Sequence, residues 1–253
     1  MIPKLIHYCW FGPDRMTEME KDCIRSWEKW LPDYTFKRWN EDNFEVNAFE
    51  FTKAAYRLRK YAFVSDVSRL HALYEQGGIY LDTDMMVVRD FDDLLQHQFF
   101  IGKERRDLIS AGIIGSVKNS PIIKSLLDNY AMLKFDYNTP MDIPSFLTAN
   151  LQSNQDISIY SPEYFYPLPY VMRGRDYRNF IKEQTYAVHL WNHSWKQERD
   201  YLHDKNFSMA LKQYFNRCKT SPRSIWKDAF LLDFMKYFLA DKFGFAYKLY
   251  KGK

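Results

Sequence analysis

The chain has 253 residues, of which 46% are hydrophobic and 18% aromatic, with a formal net charge of +4. That supplies enough apolar side chain for one larger α/β domain, with or without an appendage, and excludes a disordered chain. So small a charge excess argues against a dedicated nucleic-acid binder. Cys9, Cys23 and Cys218 are too few and too scattered for a disulfide framework or a zinc site. They fit a reducing, cytoplasmic setting. The opening MIPKLIHYCWFG has too short an apolar stretch for a signal peptide, and no run is long enough to span a bilayer.

In chain order, residues 3–10 read as a buried first strand, with Trp10 at its C-terminal end. Open α/β sheets bind ligands at such ends. His7 on this strand is expected to be a satisfied structural histidine. Residues 17–29 predict a helix with Met19, Cys23, Ile24 and Trp27 on one face. A turn at Pro32-Asp33, a strand over 34–39, a turn at 40–43 and a helix over 49–58 follow.

Residues 61–88 hold the densest pattern. Ala62, Leu70, Leu73 and Tyr74 recur at helical spacing, and Ser65 is placed to cap the helix near its start. Gly77-Gly78 ends it, because glycine accepts the left-handed conformation of a helix C-terminus. A short β-rich run, Ile79-Tyr80-Leu81, leads into Asp82-Thr83-Asp84 and then an apolar run over 85–88. An unpaired charge inside a sheet is expensive. Two close carboxylates at a strand end repel, and a divalent cation relieves that repulsion. Hard oxygen ligands suit Mg²⁺ or Mn²⁺. A bare Asp-x-Asp also fits a solvated turn between hairpin strands. Asp66 and Arg69 lie one helical turn apart; taken alone they read as a surface ion pair that stabilises little.

Downstream, residues 91–100 predict a short helix or loop and a return strand. Ser110-Ala111-Gly112 opens a buried strand whose small residues let the backbone approach a ligand closely. Pro121 starts a helix to about residue 133. A polar loop over 136–144 contains Asp142, followed by a helix over 145–151 and a strand over 157–160. Residues 161–170 form a proline–aromatic loop that reads equally as a packed loop or an acceptor-side wall. A late strand over 186–191 carries His189, which can join Asp84 as a metal ligand, since imidazole is acceptable to Mn²⁺ beside carboxylate. After Pro222 the composition turns basic and aromatic. Trp226, Phe230, Phe234 and Phe238 give an apolar stripe that suits either a membrane interface or docking on the core.

Three segments together resemble one family: Ser65-Asp66-x-x-Arg69 with Gly77-Gly78-x-Tyr80-x-Asp82-x-Asp84, the N-terminal Ile2 to Gly12, and His189 with Ser194-Trp195. They resemble the DXD sugar-transferases of glycosyltransferase family 32. That family includes bacterial capsule and lipopolysaccharide enzymes, fungal mannosyltransferases and relatives of the glucosyltransferase domains of large bacterial toxins. The resemblance implies a GT-A fold: an α/β domain with a mixed, mostly parallel central sheet flanked by helices. The catalytic domain is expected over residues 1–221, with an amphipathic tail over 222–253.

The same resemblance implies a UDP-hexose donor, UDP-galactose or UDP-glucose, and retention of anomeric configuration. It places Trp10 on the uracil, Tyr80 in the donor site, and Asp66 and Arg69 at the donor sugar. Asp82 contacts ribose and sugar and reaches the metal through water. Asp84 and His189 bind Mn²⁺ or Mg²⁺, and Ser194 and Trp195 hold the diphosphate under a lid. Asp142 matches loosely a region near the reacting carbon, because the family's usual glycine-proline there is absent. The implied acceptor is a saccharide or lipid-linked saccharide of bacterial surface polysaccharide synthesis, reached from the cytoplasm, in peripheral contact with anionic membrane. Two rivals use the same residues. A metal-dependent phosphohydrolase or nucleotidyltransferase would exploit the Asp-x-Asp, and a non-catalytic glycan-binding module would exploit the aromatics.

Overall fold

The computed structural model describes residues 1–136, 141–151, 157–192, 201–202, 205–220 and 230–242. These fall into two compact units, residues 1–192 and 193–253. The boundary expected at 221/222 lies outside the described residues.

The first unit is built on a six-stranded sheet. Its strands are β1 (Leu5–Cys9), β2 (Thr35–Trp39), β3 (Gly78–Leu81), β5 (Phe99–Arg105), β6 (Leu108–Ser116) and β7 (Ser158–Tyr160), in the order β2-β1-β3-β6-β5-β7. β1 pairs in parallel with β2 and β3, and β5 with β7, while β6 runs antiparallel between β3 and β5. This is the mixed, mostly parallel sheet expected. The central strands β3 and β6 are buried almost along their whole length because both faces are covered. Along β3, Ile79 and Leu81 point into one core and Tyr80 into the other, as the pleat demands.

Helices α2 (Glu50–Arg57), α3 (Tyr61–Gln76), α4 (Pro121–Met132) and α5 (Ile143–Leu151) supply the first core, and α1 (Glu18–Trp30) and α6 (Pro162–Phe165) the second. A separate two-stranded ribbon joins β4 (Met85–Val87) to β8 (Ala187–His189), with Met85 opposite His189. The late strand therefore does not extend the main sheet. It fastens to the run that follows Asp84.

Two local expectations are corrected. Ser65 does not cap α3: the helix begins at Tyr61 after Lys60, and the Ser65 hydroxyl donates back to the Tyr61 carbonyl at 3.2 Å. An N-cap must precede its helix to reach the free N–H groups. The Asp66–Arg69 pair is not on the surface; both side chains are only 6% exposed. Gly77-Gly78 does end α3. Gly78 has φ +110°, and a Cβ there would sit 2.4 Å from the Leu5 carbonyl oxygen.

His7 is a satisfied strand histidine, as expected. Its Nε2 lies 2.7 Å from the Gly77 carbonyl and its Nδ1 accepts from Trp39 Nε1 at 3.0 Å. The Nδ1 contact requires an unprotonated nitrogen, so the ring is neutral with its proton on Nε2. Burial pushes its pKa down to about 4, from about 6.5 in the unfolded chain. The folded state thus binds this proton less readily, and the associated stability is full above pH 6.5 and lost as pH falls through 4. The loss is on the order of 3 kcal/mol. Urea unfolding at pH 7 and pH 4 should show a smaller acid loss in His7→Gln than in the parent. Equal losses would rule His7 out as the source.

In the second unit, α7 (Phe207–Thr220) packs on α8 (Phe230–Lys242). Leu202, Ala210, Tyr214, Cys218, Phe230 and Phe234 form its core, with Tyr214 and Phe230 stacked at 4.6 Å. Phe230 and Phe234 are therefore core residues and not a membrane-facing stripe. A helix packed on one side needs its largest apolar groups there. The exposed apolar residues of α8 are Leu231, Leu232, Met235 and Leu239. Trp226 lies outside the described residues. No described helix is long and apolar enough to cross a membrane.

Candidate active site

Asp82 and Asp84 occupy the turn between β3 and β4, and their neighbours fix its shape. Asp82 N donates to the Gly112 carbonyl at 2.8 Å, and Met85 N closes the turn onto the Asp82 carbonyl at 3.0 Å. Gly112 is small because the site is tight: a Cβ there would lie 3.0 Å from Tyr166 OH and 3.4 Å from Asp82 Oδ2. Helix α1 anchors the far side of the turn. Trp27 Nε1 donates to the Met85 carbonyl at 2.7 Å, and Val87 N donates to Ser26 Oγ at 3.0 Å.

His189 arrives on β8 and sets its Nε2 3.1 Å from Asp84 Oδ1. Single donor atoms of Asp82, Asp84 and His189 lie within 4.8 Å of one another. Burial disfavours the Asp84 charge, but His189 and the Asn192 backbone N–H outweigh it and hold the carboxyl below its usual range. Burial likewise disfavours imidazolium, and Asp84 reverses that, so the His189 pKa is raised. The donor set fits a divalent cation: two hard carboxylates and an imidazole suit Mn²⁺ or Mg²⁺. Among the described residues His189 Nδ1 is buried without a hydrogen-bond partner, which leaves one nitrogen of this ring uncommitted.

Beside this cluster, Arg69 gathers the remaining charge. Its Nη2 meets Asp66 Oδ1 at 3.0 Å, and its Nη1 meets Asp82 Oδ1 at 3.2 Å and the Ala111 carbonyl at 2.9 Å. The guanidinium lies 4.5 Å from the centre of the Tyr80 ring, and Tyr80 OH donates to Asp82 Oδ1 at 2.8 Å. Burial opposes the Arg69 charge; Asp82 leads the neighbours that overcome it. Burial pushes Asp66 up to about 7 against the pull of Arg69. A planar fork can hold several oxygens at once, which explains arginine here.

Trp10 follows β1, the parallel neighbour of β3, so it lies at the same sheet end as Asp82. It is half-buried and lines a cleft of about 380 Å³ with Gly12, Arg38, Asn40 and Glu41. Asp142 is exposed and caps α5, accepting from Ser145 N and Ser145 Oγ, both at 2.9 Å. Its charge still reaches Asp66 and Glu104.

Residues 17–101 match the family model described as "Glycosyltransferase sugar-binding region containing DXD motif", and residues 120–221 match "Alpha 1,4-glycosyltransferase conserved region". Both matched models describe glycosyltransferase regions, and they lie in tandem along this chain. Among similar proteins is inositol phosphoceramide mannosyltransferase 3 of Schizosaccharomyces pombe, 29% identical over 55% of this chain and 40% of the relative. Another is human alpha-1,4-N-acetylglucosaminyltransferase, 27% identical over 64% of this chain and 52% of the relative. The chain thus spans about half the length of these curated relatives. A solved galactosyltransferase in complex with donor and acceptor sugar analogues is 14% identical, with a TM-score of 0.46 over 75% of this chain and 88% of that one.

Within the regions these models match, the structure brings Asp66, Arg69, Tyr80, Asp82, Asp84 and His189 together. Ser194 and Trp195 lie outside the described residues. Several neighbours escaped the sequence reading. Glu104 on β5 is half-buried near Ser110, with its pKa raised by burial. Tyr166 is fully buried, its hydroxyl accepting from Ile113 N at 3.3 Å. The only sequence signal for either was the small-residue run at 110–112, which implies bulky neighbours close by.

Proposed function

We propose that this chain transfers a hexose from a UDP-sugar to a saccharide acceptor with retention of configuration, using Mn²⁺ or Mg²⁺. The observation that carries this reading is the convergence of Asp82, Asp84 and His189 at the sheet end where Trp10 lines a nucleoside-sized cleft. Asp84 and His189 would hold the cation, with Asp82 beside them. When bound, the metal supplies Lewis-acid neutralisation of the leaving diphosphate. Trp10 offers its ring face to the base. Arg69 and Asp66 present a fork and a carboxyl to sugar hydroxyls, and Asp142 lies within electrostatic reach of Asp66. Ser194 and Trp195 are assigned to the diphosphate by the family resemblance alone.

Retention is supported by the second family model, described as alpha 1,4. An α-linked product from an α-linked UDP-hexose keeps its configuration. Among the described residues no carboxylate stands out as a covalent nucleophile, so we favour departure and attack on the same face, with the leaving phosphate accepting the acceptor's proton. The yeast relative is named for mannose transfer to a lipid, inositol phosphoceramide, which supports an acceptor that carries a lipid. Bacterial surface polysaccharide synthesis remains our assignment of the setting, from the resemblance.

Thermal shift with UDP, GDP and CMP, each with and without Mn²⁺, tests the donor. UDP should raise the melting temperature only with the metal, by mass action. Trp10→Ala should weaken UDP binding by about 1–3 kcal/mol, the scale of one base stacked on an aromatic ring. Unchanged UDP affinity in that folded variant would move the base elsewhere.

A further inference from the structure

We infer that Asn192 and Glu20 are positioning residues that lock the Asp84 carboxylate in its ligand-presenting orientation. The inference rests on the reading of Asp84 as a metal ligand. A lone carboxylate on a turn can rotate, and each rotamer aims a different oxygen at the cation. Here both Asp84 oxygens are spoken for. Oδ1 faces His189 Nε2 at 3.1 Å, and Oδ2 accepts from Asn192 N at 2.7 Å. Leu190 N also binds the Asp84 carbonyl at 3.0 Å, so the chain after β8 grips this residue twice.

The grip depends on an uncommon backbone conformation. Trp191 has φ +59°, a left-handed value that is costly for a bulky residue and persists only where its surroundings enforce it. The enforcement is visible. Trp191 Nε1 donates to the Leu168 carbonyl at 2.7 Å, and its ring packs edge-on against His189 at 4.2 Å. This turn brings Asn192 N onto Asp84.

Asn192 is held in turn from the opposite side. Its side-chain amide donates to Glu20 Oε1. Glu20 is only 1% exposed, and its other oxygen closes the capping box of α1, accepting from Thr17 N at 2.6 Å. A buried carboxylate on the first turn of a helix is unusual unless it has work beyond the cap. The path thus runs from the α1 N-terminus through Glu20 and Asn192 to Asp84, across 172 residues of sequence. Outer contacts of this kind tune metal affinity by orienting the ligand.

Calorimetric titration of Mn²⁺ into the UDP-saturated full chain tests the inference, alongside melting curves. Asn192→Ala removes only the bond to Glu20 and leaves the capping box intact. It should raise the Mn²⁺ Kd about tenfold or more, with a smaller fall in melting temperature than Glu20→Ala gives, since only the buried Glu20 oxygen loses its partner. Glu20→Ala should raise the Kd similarly and also lower the melting temperature, because the cap is lost. In the double variant the Kd should rise no further, since both changes break one contact. An Asn192→Ala variant with the parent's Kd, or independent effects in the double variant, would overturn the inference. Asp84→Asn separates the two levels. If that variant binds Mn²⁺ like the parent, the metal reading itself fails and this inference falls with it.

Discussion

Asp84→Asn should reduce turnover by roughly two to three orders of magnitude or more, the scale of losing one preorganised electrostatic contact in a buried site. The fold should survive, because an asparagine can still accept from Asn192 N, as Asp84 Oδ2 does at 2.7 Å. We expect a melting temperature within about 3 °C of the parent, the shift expected of a small stability change in a chain of this size. The loss should appear as much in Mn²⁺ binding as in rate, since the removed charge is what the cation is proposed to meet. Normal Mn²⁺-dependent turnover in the variant would remove Asp84 from the site. Unfolding of the variant would instead make the Asp84–His189 pair a structural contact.

Arg69→Met should be the most destabilising single change in the site. Arg69 compensates two carboxylates, Asp66 and Asp82, from a position only 6% exposed. Removing one partner of a buried pair leaves uncompensated charge and costs about 3–5 kcal/mol. The deficit should depend on pH. In the parent, burial already raises Asp66 to about 7, from about 4 unfolded. The folded chain therefore favours the protonated acid, and stability is lost as pH rises from 4 through 7. Without Arg69 that folded pKa moves higher still, so the loss continues above pH 7. The gap between variant and parent in urea midpoints should widen from pH 6 to pH 9. Arg69→Lys should recover little, because a point charge cannot reach Asp66, Asp82 and the Ala111 carbonyl together. A pH-independent gap would mean that Asp66 does not titrate against Arg69.

The site was legible where its chemistry is local in sequence. Asp82-x-Asp84 between two apolar runs marked a strand end that must meet charge, and the spacing of Asp66 and Arg69 marked one helix face. What spacing could not reveal was burial, so that pair read alone as a weak surface contact. The pairing of β4 with β8 was also hidden, since Met85 and His189 are distant in sequence and both strands are short. His189 was reached through its chemistry and the family resemblance, not through topology. Glu20 had no signal, and Asn192 only its place just before Ser194-Trp195, because their value lies in one tertiary contact. The tail misled for a different reason. Phe230, Phe234 and Phe238 recur at helical spacing, and that pattern cannot say whether a helix or a lipid surface covers them; α7 packs against all three.

The most direct test of the central claim is mass spectrometry of products. The chain would be incubated with a UDP-hexose and a panel of free and lipid-linked saccharides, with Mn²⁺ or with EDTA. We predict acceptors heavier by one hexose, together with free UDP, in the Mn²⁺ samples only. Hexose phosphate with UMP, or a new diphosphate without a glycoside, would contradict the account and favour phosphohydrolase or nucleotidyltransferase chemistry. Equal transfer in EDTA would contradict the role given to Asp82, Asp84 and His189.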